Sequence, residues 1–586
     1  MNRSQPLLIG SARSSRRVLV LVAVLLLAAC TSAPLQPASP GAAPGQVPAP
    51  QRQPTQTLIT AVRVEPTSLA DKPITGTGAG VAFVTRVFNA DLDMVDSQDQ
   101  PRPVLAEALP QLNTDTWKVN ADGTMETTYR LKPNLTWQDG QPLTADDFAF
   151  ALRVYKTPEF GVSTAAPIGR MDDIQAPDPR TVVIHWKTLY PDAGVLKNRF
   201  QPLPRHILEQ QYNTDKGDAF TSHPYWTTQY IGLGPFKLER WEPGSYVEGS
   251  AFDGHVLGRP KIDRIQVRFM ADENVVLTNL LAGTVNLATD RSIRYEQTEV
   301  MQREWNSSHN GTVLLTLSLL RYTLMQFRPE TVNPKAMLDP RVRQAIASSV
   351  DKGALNDGVF GGQATLSDTF VSPDVPYFGE LDRAITKYPY DPRRSEQLMN
   401  DAGFRKASDG FFADASGQRF NPLFWEESGS QNEHELNIFI DTWRRAGFDM
   451  QTFVLPAVQL NDAQLRATYP AMYTTQGGGA TEDRLDTFST LTIPTPANRF
   501  QGNNRGGWVN EGYDRLWQQF LTTLDRSQRN QQLIQMLKVV SDEVPAIPIY
   551  FNFAPTAYLS TLSGPKLGAR IPDAMISWDI YNWEWK

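Results

Sequence analysis

The sequence predicts a mixed α/β fold spread over more than one domain, and three observations predict it. The first is the run from Gly232 to Leu287, which reads as hairpin, strand, helix and strand in turn. Phe236 and Leu238 alternate with Lys237 and Glu239, as a half-buried strand requires, and Pro243-Gly244 supplies turn chemistry. Ile265, Val267 and Phe269 alternate with Arg264, Gln266 and Arg268 in a further strand. Asp272 is placed to cap a helix with Val276, Leu277, Leu280 and Leu281 on one face; Gly283 stops it, and Val285 to Ala288 starts another strand. The second observation is a pair of helices that both close on Ala-Gly-Phe, at Ala402-Gly403-Phe404 and at Ala446-Gly447-Phe448, which suggests two similar α/β units. The third is size. Once the N-terminal leader is set aside, roughly 530 residues remain, enough for two to four domains.

Residues 1–29 read as a signal peptide outside the fold. Arg13, Arg16 and Arg17 form a basic region, and Val18 to Ala29 is an apolar run of 12 residues, short for the ~30 Å of a hydrocarbon core. The run ends Leu27-Ala28-Ala29-Cys30, which resembles a bacterial lipoprotein cleavage box, with Cys30 as the lipidated N-terminus of the mature chain. Cys30 is the only cysteine, so internal disulfides and cysteine-based metal sites are excluded. Residues 30–56 read as a lipid-anchored tether. Thr31 to Gln56 holds seven prolines and no periodicity, so it buries no core. Extended at ~3.1 Å per residue it would reach roughly 80 Å. Four arginines and no acids leave with residues 1–29, which takes the formal charge from −7 to −11. An acidic chain without a basic patch argues against a nucleic-acid partner.

From residue 57 the chain is dense in local signals. Thr57 to Val64 alternates like a strand and leads into Glu65-Pro66-Thr67-Ser68-Leu69. Lys132 to Phe148 contains Trp137-Gln138-Asp139-Gly140-Gln141-Pro142-Leu143-Thr144-Ala145-Asp146-Asp147. Asp139-Gly140 makes a turn, and Thr144 caps a helix with Asp147 as the acidic partner of a capping box. Turn and cap roles account for Asp139, Asp146 and Asp147 without any catalytic role. Asp339-Pro340 and Asp391-Pro392 are further helix starts. Leu436, Phe439, Ile440 and Trp443 form one apolar helix face, and Tyr513, Leu516, Trp517, Phe520 and Leu521 another. Pro545 to Tyr550 reads as a late strand.

The chain carries little of the residue patterning that catalysis requires. The six histidines share no i, i+3 or i, i+4 spacing suited to a helical metal site. There is no Gly-x-Ser-x-Gly elbow and no phosphate-binding loop. Among 63 acids, pairs such as Glu426-Glu427 arise by chance. The expectation is therefore no enzyme, no metal and no cofactor.

The Trp137 to Asp147 segment resembles the W-x-D-G-x-P-[LF]-T-A-x-D signature of family 5 extracellular solute-binding proteins, the oligopeptide, dipeptide and nickel-binding group of ABC importers. Gly232-Leu233-Gly234-Pro235-Phe236, Gly258-Arg259-Pro260-Lys261-Ile262-Asp263 and Leu280 to Asn286 resemble that family's central segment, in the right order. The resemblance covers most of the chain from residue 57 and is poor between about 288 and 335. It implies two lobes joined by two hinge crossings, near Leu317 to Arg321 and Val544 to Phe551. It also implies a division into domain I (57–88, 223–315 and 544–586), an extra domain II (89–222) and domain III (316–543), the second lobe.

In the family's peptide-binding members a Gly-Trp-x-x-Asp segment offers an aspartate to the ligand's ammonium group. The matching stretch here is Gln476 to Asp483, where Thr481 stands at the aspartate position and Gly478 at the tryptophan position. The expected cleft residues are Asn89, Trp425, Glu426, Gln476, Gly478, Thr481 and Glu482, with the loop from Gly502 to Asn504 at its border. The implied role is a monomeric receptor that captures a small solute, a peptide foremost, and delivers it to ABC permease subunits. It would be lipid-anchored to the cell membrane, on the periplasmic side or the outer face. The alternatives are a sugar-oligomer or other solute receptor with a sensory role on the same fold, and a lipid-anchored extracellular hydrolase.

Overall fold

The computed structural model describes residues 57–586, except 71–81, 99, 158–159, 161–165, 198, 216, 457–458, 461, 478–481, 499, 501 and 567–575, and except the side chains of 82, 318 and 483. The leader, Cys30 and the tether lie outside the described residues, as do Gly478 and Thr481.

One sheet of eleven strands organises the chain. Its strands are β1 (Thr57–Val62), β2 (Phe236–Glu242), β3 (Tyr246–Ala251), β4 (Arg264–Phe269), β5 (Leu287–Ala288), β6 (Gly311–Met325), β7 (Thr365–Leu366), β8 (Leu423–Glu427), β9 (Gln451–Leu455), β10 (Met472–Gly477) and β11 (Ala546–Leu559). The spatial order is β9-β8-β10-β6-β11-β5-β1-β4-β3-β2, with β7 also paired to β11. Two long antiparallel strands, β6 and β11, therefore sit in the middle of the sheet and belong to both of its ends. Gly311 lies opposite Leu559 and Leu324 opposite Ala546. Near its C-terminal end β11 pairs with β5, which continues into β1 and β4. At the other end β6 pairs with β10, which continues into β8 and β9. The ladder slips between Leu317 and Leu320 and again between Arg321 and Tyr322. Such irregularities locally release the pairing and bend the strand.

The cores divide along the same line. One apolar cluster runs from Leu58 to Val267 and takes in Trp137, Trp186 and, from the C-terminal end, Trp583. A smaller one gathers Val276, Leu280, Met301 and Ala557. Two others lie within residues 295–551 and cover opposite faces of the β10-β8-β9 end of the sheet. Successive residues of β8 and β10 show why: Phe424 and Met472 enter one cluster, and Trp425 and Tyr473 enter the other, as the two-residue period of a strand dictates. A separate four-stranded sheet (Trp117–Val119, Met125–Arg130, Met171–Asp178, Thr181–Trp186) carries the helix Ala145–Tyr155.

The two signature motifs lock together through one side chain. Gln138 Nε2 donates to the carbonyls of Gly234 and Phe236 at 3.0 and 2.7 Å, and its Oε1 accepts from Gly232 N at 3.1 Å. Gly234 N in turn donates to Phe88 O at 3.0 Å. A Cβ on Gly234 would lie 2.2 Å from the carbonyl carbon of Phe88 and 2.3 Å from the amide nitrogen of Asn89. The glycine is required because main chain packs directly on main chain.

The caps form as the residue types require. Asp272 accepts from Asn274 N and Val275 N, Asp339 from Arg341 N, and Asp391 from Arg393 N and Arg394 N. Thr144 N donates to Asp147 Oδ2 at 2.9 Å. Asp147 is buried and also accepts from Arg205 N at 2.9 Å; desolvation pushes its pKa up. Its role is structural. Two details differ from the sequence reading. Leu281 is 42 % exposed, because the helix Glu273–Leu281 ends there and turns only Val276 and Leu280 fully inward. The strand expected from Val285 begins at Leu287, where pairing to β1 begins.

Candidate functional site

The candidate site sits where β6 and β10 run side by side just past the slipped register. Leu320 lies opposite Gly477, Arg321 opposite Gln476 and Tyr322 opposite Thr475. Strand alternation sends Arg321 to one face of the sheet and Leu320 and Tyr322 to the other. A cavity of about 190 Å³ opens here, lined by Tyr322, Phe370, Gln476, Gly477, Arg484 and Arg505 among others. The Tyr322 and Phe370 rings meet edge to face with centroids 5.5 Å apart, and Phe370 continues onto Phe488 at 4.7 Å. This gives a rigid aromatic floor. Gly477 forms part of the wall because a Cβ there would lie 2.8 Å from the Tyr322 hydroxyl oxygen. Gln476 Oε1 accepts from Asn552 Nδ2 at 3.2 Å, which ties the cavity wall to β11 at the point where that strand crosses.

The opposite face carries a buried charge cluster. Arg321 Nη2 donates to Glu426 Oε1 at 2.5 Å and Arg321 Nε to Glu435 Oε2 at 2.8 Å; all three side chains are 1 % exposed or less. Tyr550 of β11 donates its hydroxyl to Glu435, and Gln431 Nε2 donates to Glu435 Oε1 at 2.9 Å. One cation therefore serves two carboxylates. Burial, partly offset by Arg321 and reinforced by Glu435, pushes Glu426 up to about 8. Glu426 holds its proton in the folded state at a pH where the unfolded carboxyl has lost it. Its contribution to stability is thus intact below about pH 4.5 and declines as pH rises towards about 8. The urea midpoint of the protein relative to that of its Glu426→Gln variant should fall from pH 5 to 8.

Placement of the expected cleft residues is uneven. Gln476 lines the cavity. Glu426 lies on the far face, engaged by Arg321, so a ligand meets it only by breaking that pair. Trp425 packs in the interior against Phe453 and Tyr473, with ring centroids 4.8 and 6.5 Å away. Asn89 is also interior: its Nδ2 donates to Leu69 O and Thr85 O at 2.6 and 2.8 Å, and its Oδ1 accepts from Gln201 and Tyr230. Glu482 is held by Arg526 at 2.7 Å and by the Tyr377 hydroxyl at 3.2 Å. The sequence reading did not single out Tyr322, Phe370, Arg484 or Arg505. Only the glycine-asparagine loop hinted at this corner, and its Asn503 does line the cavity.

Among the described residues no group of three or more histidines, cysteines or acids is arranged to hold a metal ion. No described helix is long and apolar enough to cross a membrane.

The fold and site define a solute-binding protein of the two-ended α/β type built on a pair of crossing strands. The chain belongs to the bacterial extracellular solute-binding proteins, family 5, whose middle region matches residues 107–499. That is a family of non-catalytic binding proteins, not of enzymes. The chain is 21 % identical over 488 residues to the oligopeptide-binding protein AppA of Bacillus subtilis, covering 82 % of each. In structure it is similar to the oligopeptide binding protein of Thermus thermophilus complexed with a pentapeptide, at a TM-score of 0.70, 21 % identity and 90 % and 96 % coverage of the two chains. It is also similar to the ABC transporter substrate binding protein CtaP of Listeria monocytogenes, at a TM-score of 0.73, 19 % identity and 91 % and 100 % coverage.

Proposed function

We propose that this protein is the substrate-binding component of an ABC importer, that it takes a short peptide into the cavity beside β6 and β10, and that lipid on Cys30 holds it at the outer side of the cell membrane. The observation that carries the reading is the pair of crossing strands with their slipped register beside an aromatic-floored cavity. A ligand seated there touches the second half of the sheet directly, and closure about β6 and β11 brings the first half over it. Hinge closure about a few strand residues is the common device of two-lobed binding proteins. On this reading residues 57–88, 223–315 and 544–586 form one lobe with 89–222 appended, and 316–543 form the other. A peptide is favoured over other solutes by the name of the AppA relative and by the polar wall that Gln476, Asn503 and Thr487 set against aromatic rings. Uptake needs no chemistry from the protein, and the buried aspartates and glutamates described above are engaged as structural groups.

A thermal-shift panel of di- to hexapeptides, sugar oligomers and metal chelates tests this. A peptide at 100 times its dissociation constant should add ~2.7 kcal/mol to stability. Stabilisation by sugars or chelates alone would reassign the solute, and no stabilisation by any of them would remove the receptor reading.

A further inference from the structure

A buried cation stands between the two halves of the chain and is bonded tightly to neither. Arg529 lies near the start of the helix Arg526–Glu543, with its guanidinium carbon 4.4 Å from the centroid of the Phe520 ring. Its Nη1 is 3.6 Å from Asp192 Oδ1, which belongs to residues 89–222. Its Nη2 is 3.8 Å from Glu482 Oε2, on its own side. Both separations lie within ion-pair range but beyond hydrogen-bond length. Arg529 Nε has no hydrogen-bond partner among the described residues. The contrast is with Arg321, equally buried, which bonds its two carboxylates at 2.5 and 2.8 Å.

Each side of this contact is firmly built. Asp192 sits in a turn whose next residue, Ala193, is buried and accepts from the Tyr129 hydroxyl at 3.0 Å. A Cβ on Gly194 would lie 2.7 Å from Pro110 O, so main chain packs on main chain behind the carboxylate. On the other side, apart from its capping Asp525, the helix opens with Arg526 and Arg529 and no acid, the reverse of what the helix dipole favours. Such breaches of a local rule concentrate where function needs them. Glu482 is taken up by Arg526 at 2.7 Å and by the Tyr377 hydroxyl at 3.2 Å, which leaves Arg529 for Asp192. Leu524, just before the cap, packs on the apolar cluster that contains Leu58 and Trp137, so the halves touch beside the ion pair as well. Glu482 also opens the segment Glu482–Phe488, whose Leu485 and Thr487 line the solute cavity. A solute that moves this segment moves the carboxylate against which Arg529 is balanced.

We infer that Asp192 and Arg529 form a latch between the halves: in the open arrangement Arg529 falls back on Glu482, and on closure its guanidinium moves onto Asp192 in a charge-assisted hydrogen bond. The exchange costs little, because the cation keeps a carboxylate beside it in both arrangements and is never left buried alone. That suits a contact made and broken in every cycle of loading. The inference rests on the closure about β6 and β11 proposed above and names the group that holds the closed form.

The test is single-molecule energy transfer on the full chain carrying Cys30→Ser, with dyes on Asp253→Cys and Arg444→Cys, read without solute and with tetra-alanine. The ratio of closed to open molecules is the readout. Without solute, Asp192→Asn should lower that ratio about two- to fivefold, what an ion pair with one exposed partner is worth. Arg529→Gln should do the same, and the double variant should fall no further than either single one, as for one shared contact. Sodium chloride at about 1 M should bring the wild type towards the variants, because the partly exposed Asp192 is screened. A ratio indifferent to Asp192→Asn, falls that add in the double variant, or one population that no variant shifts would each overturn the latch. Because the ratio is read without solute, a failed receptor shows itself separately, as a protein that no member of the solute panel stabilises.

Discussion

Replacing Arg321 by methionine should lower the stability of the half of the sheet containing β8 and β10 by about 3–5 kcal/mol, the usual consequence of removing one partner from a buried ionic group. The geometry makes this a severe case. Glu426 and Glu435 come from a strand and from the helix Ser430–Ala446, and the Arg321 guanidinium is the cation that spans them. Without it two carboxyls remain in an interior where neither is exposed to water. Tyr550 and Gln431 still donate to Glu435, so the larger burden falls on Glu426, whose Oε2 has no hydrogen-bond partner among the described residues even in the intact cluster. A urea titration followed by tryptophan emission should show an earlier midpoint, with the shift largest above pH 7, where the orphaned carboxyls must ionise or hold protons against bulk solvent. Replacing all three charges together with apolar residues of similar volume should recover most of the loss, because the desolvation burden goes with the charges.

Gly234→Ala should cost roughly 3 kcal/mol, at the upper end of ordinary overpacking. A methyl group there meets the backbone of Phe88 and Asn89, not a side-chain tip that can swing away. Relief requires moving the end of the helix Ala82–Phe88 or breaking the Gly234 N to Phe88 O hydrogen bond. The displacement would also disturb the Gln138 amide that brackets Gly232 to Phe236. Differential scanning calorimetry should register a lower melting temperature. A variant that melts with the wild type would show that this contact tolerates a side chain.

Much of the fold was legible because its determinants are local. Thr144, Asp272, Asp339 and Asp391 cap helices through bonds that span two or three residues, and a reader of the chain sees both partners at once. The glycine-rich motif at Gly232 was recognisable as a pattern, but its cause was not: the reason for Gly234 lies at Phe88, far back in the chain. The site was less legible for the same reason. Glu426 sits in a visible strand edge, yet alternation alone does not reveal which face looks onto a cavity and which onto Arg321. Trp425 and Glu426 are neighbours in sequence and point to opposite sides of the sheet. The tract that resembled the family least, from 288 to 335, holds β6, the strand that supplies Arg321 to one face and Tyr322 to the other. Glu482 is adjacent to the cavity loop, but its partners arrive from the helix Arg526–Glu543 and from Tyr377. Arg484 and Arg505 carry no motif; only the fold, by bringing two distant loops to one cavity, places them side by side.

Energy transfer between dyes on the two ends of the sheet tests the central claim most directly. With Cys30 replaced by serine, cysteines at Asp253 and Arg444, both on the surface, accept the dyes. Addition of a saturating peptide from the binding panel should raise transfer efficiency along a one-site curve, as closure about β6 and β11 brings the ends together. An efficiency that stays constant while the same peptide saturates the protein would contradict closure and leave the crossing strands as a rigid spine.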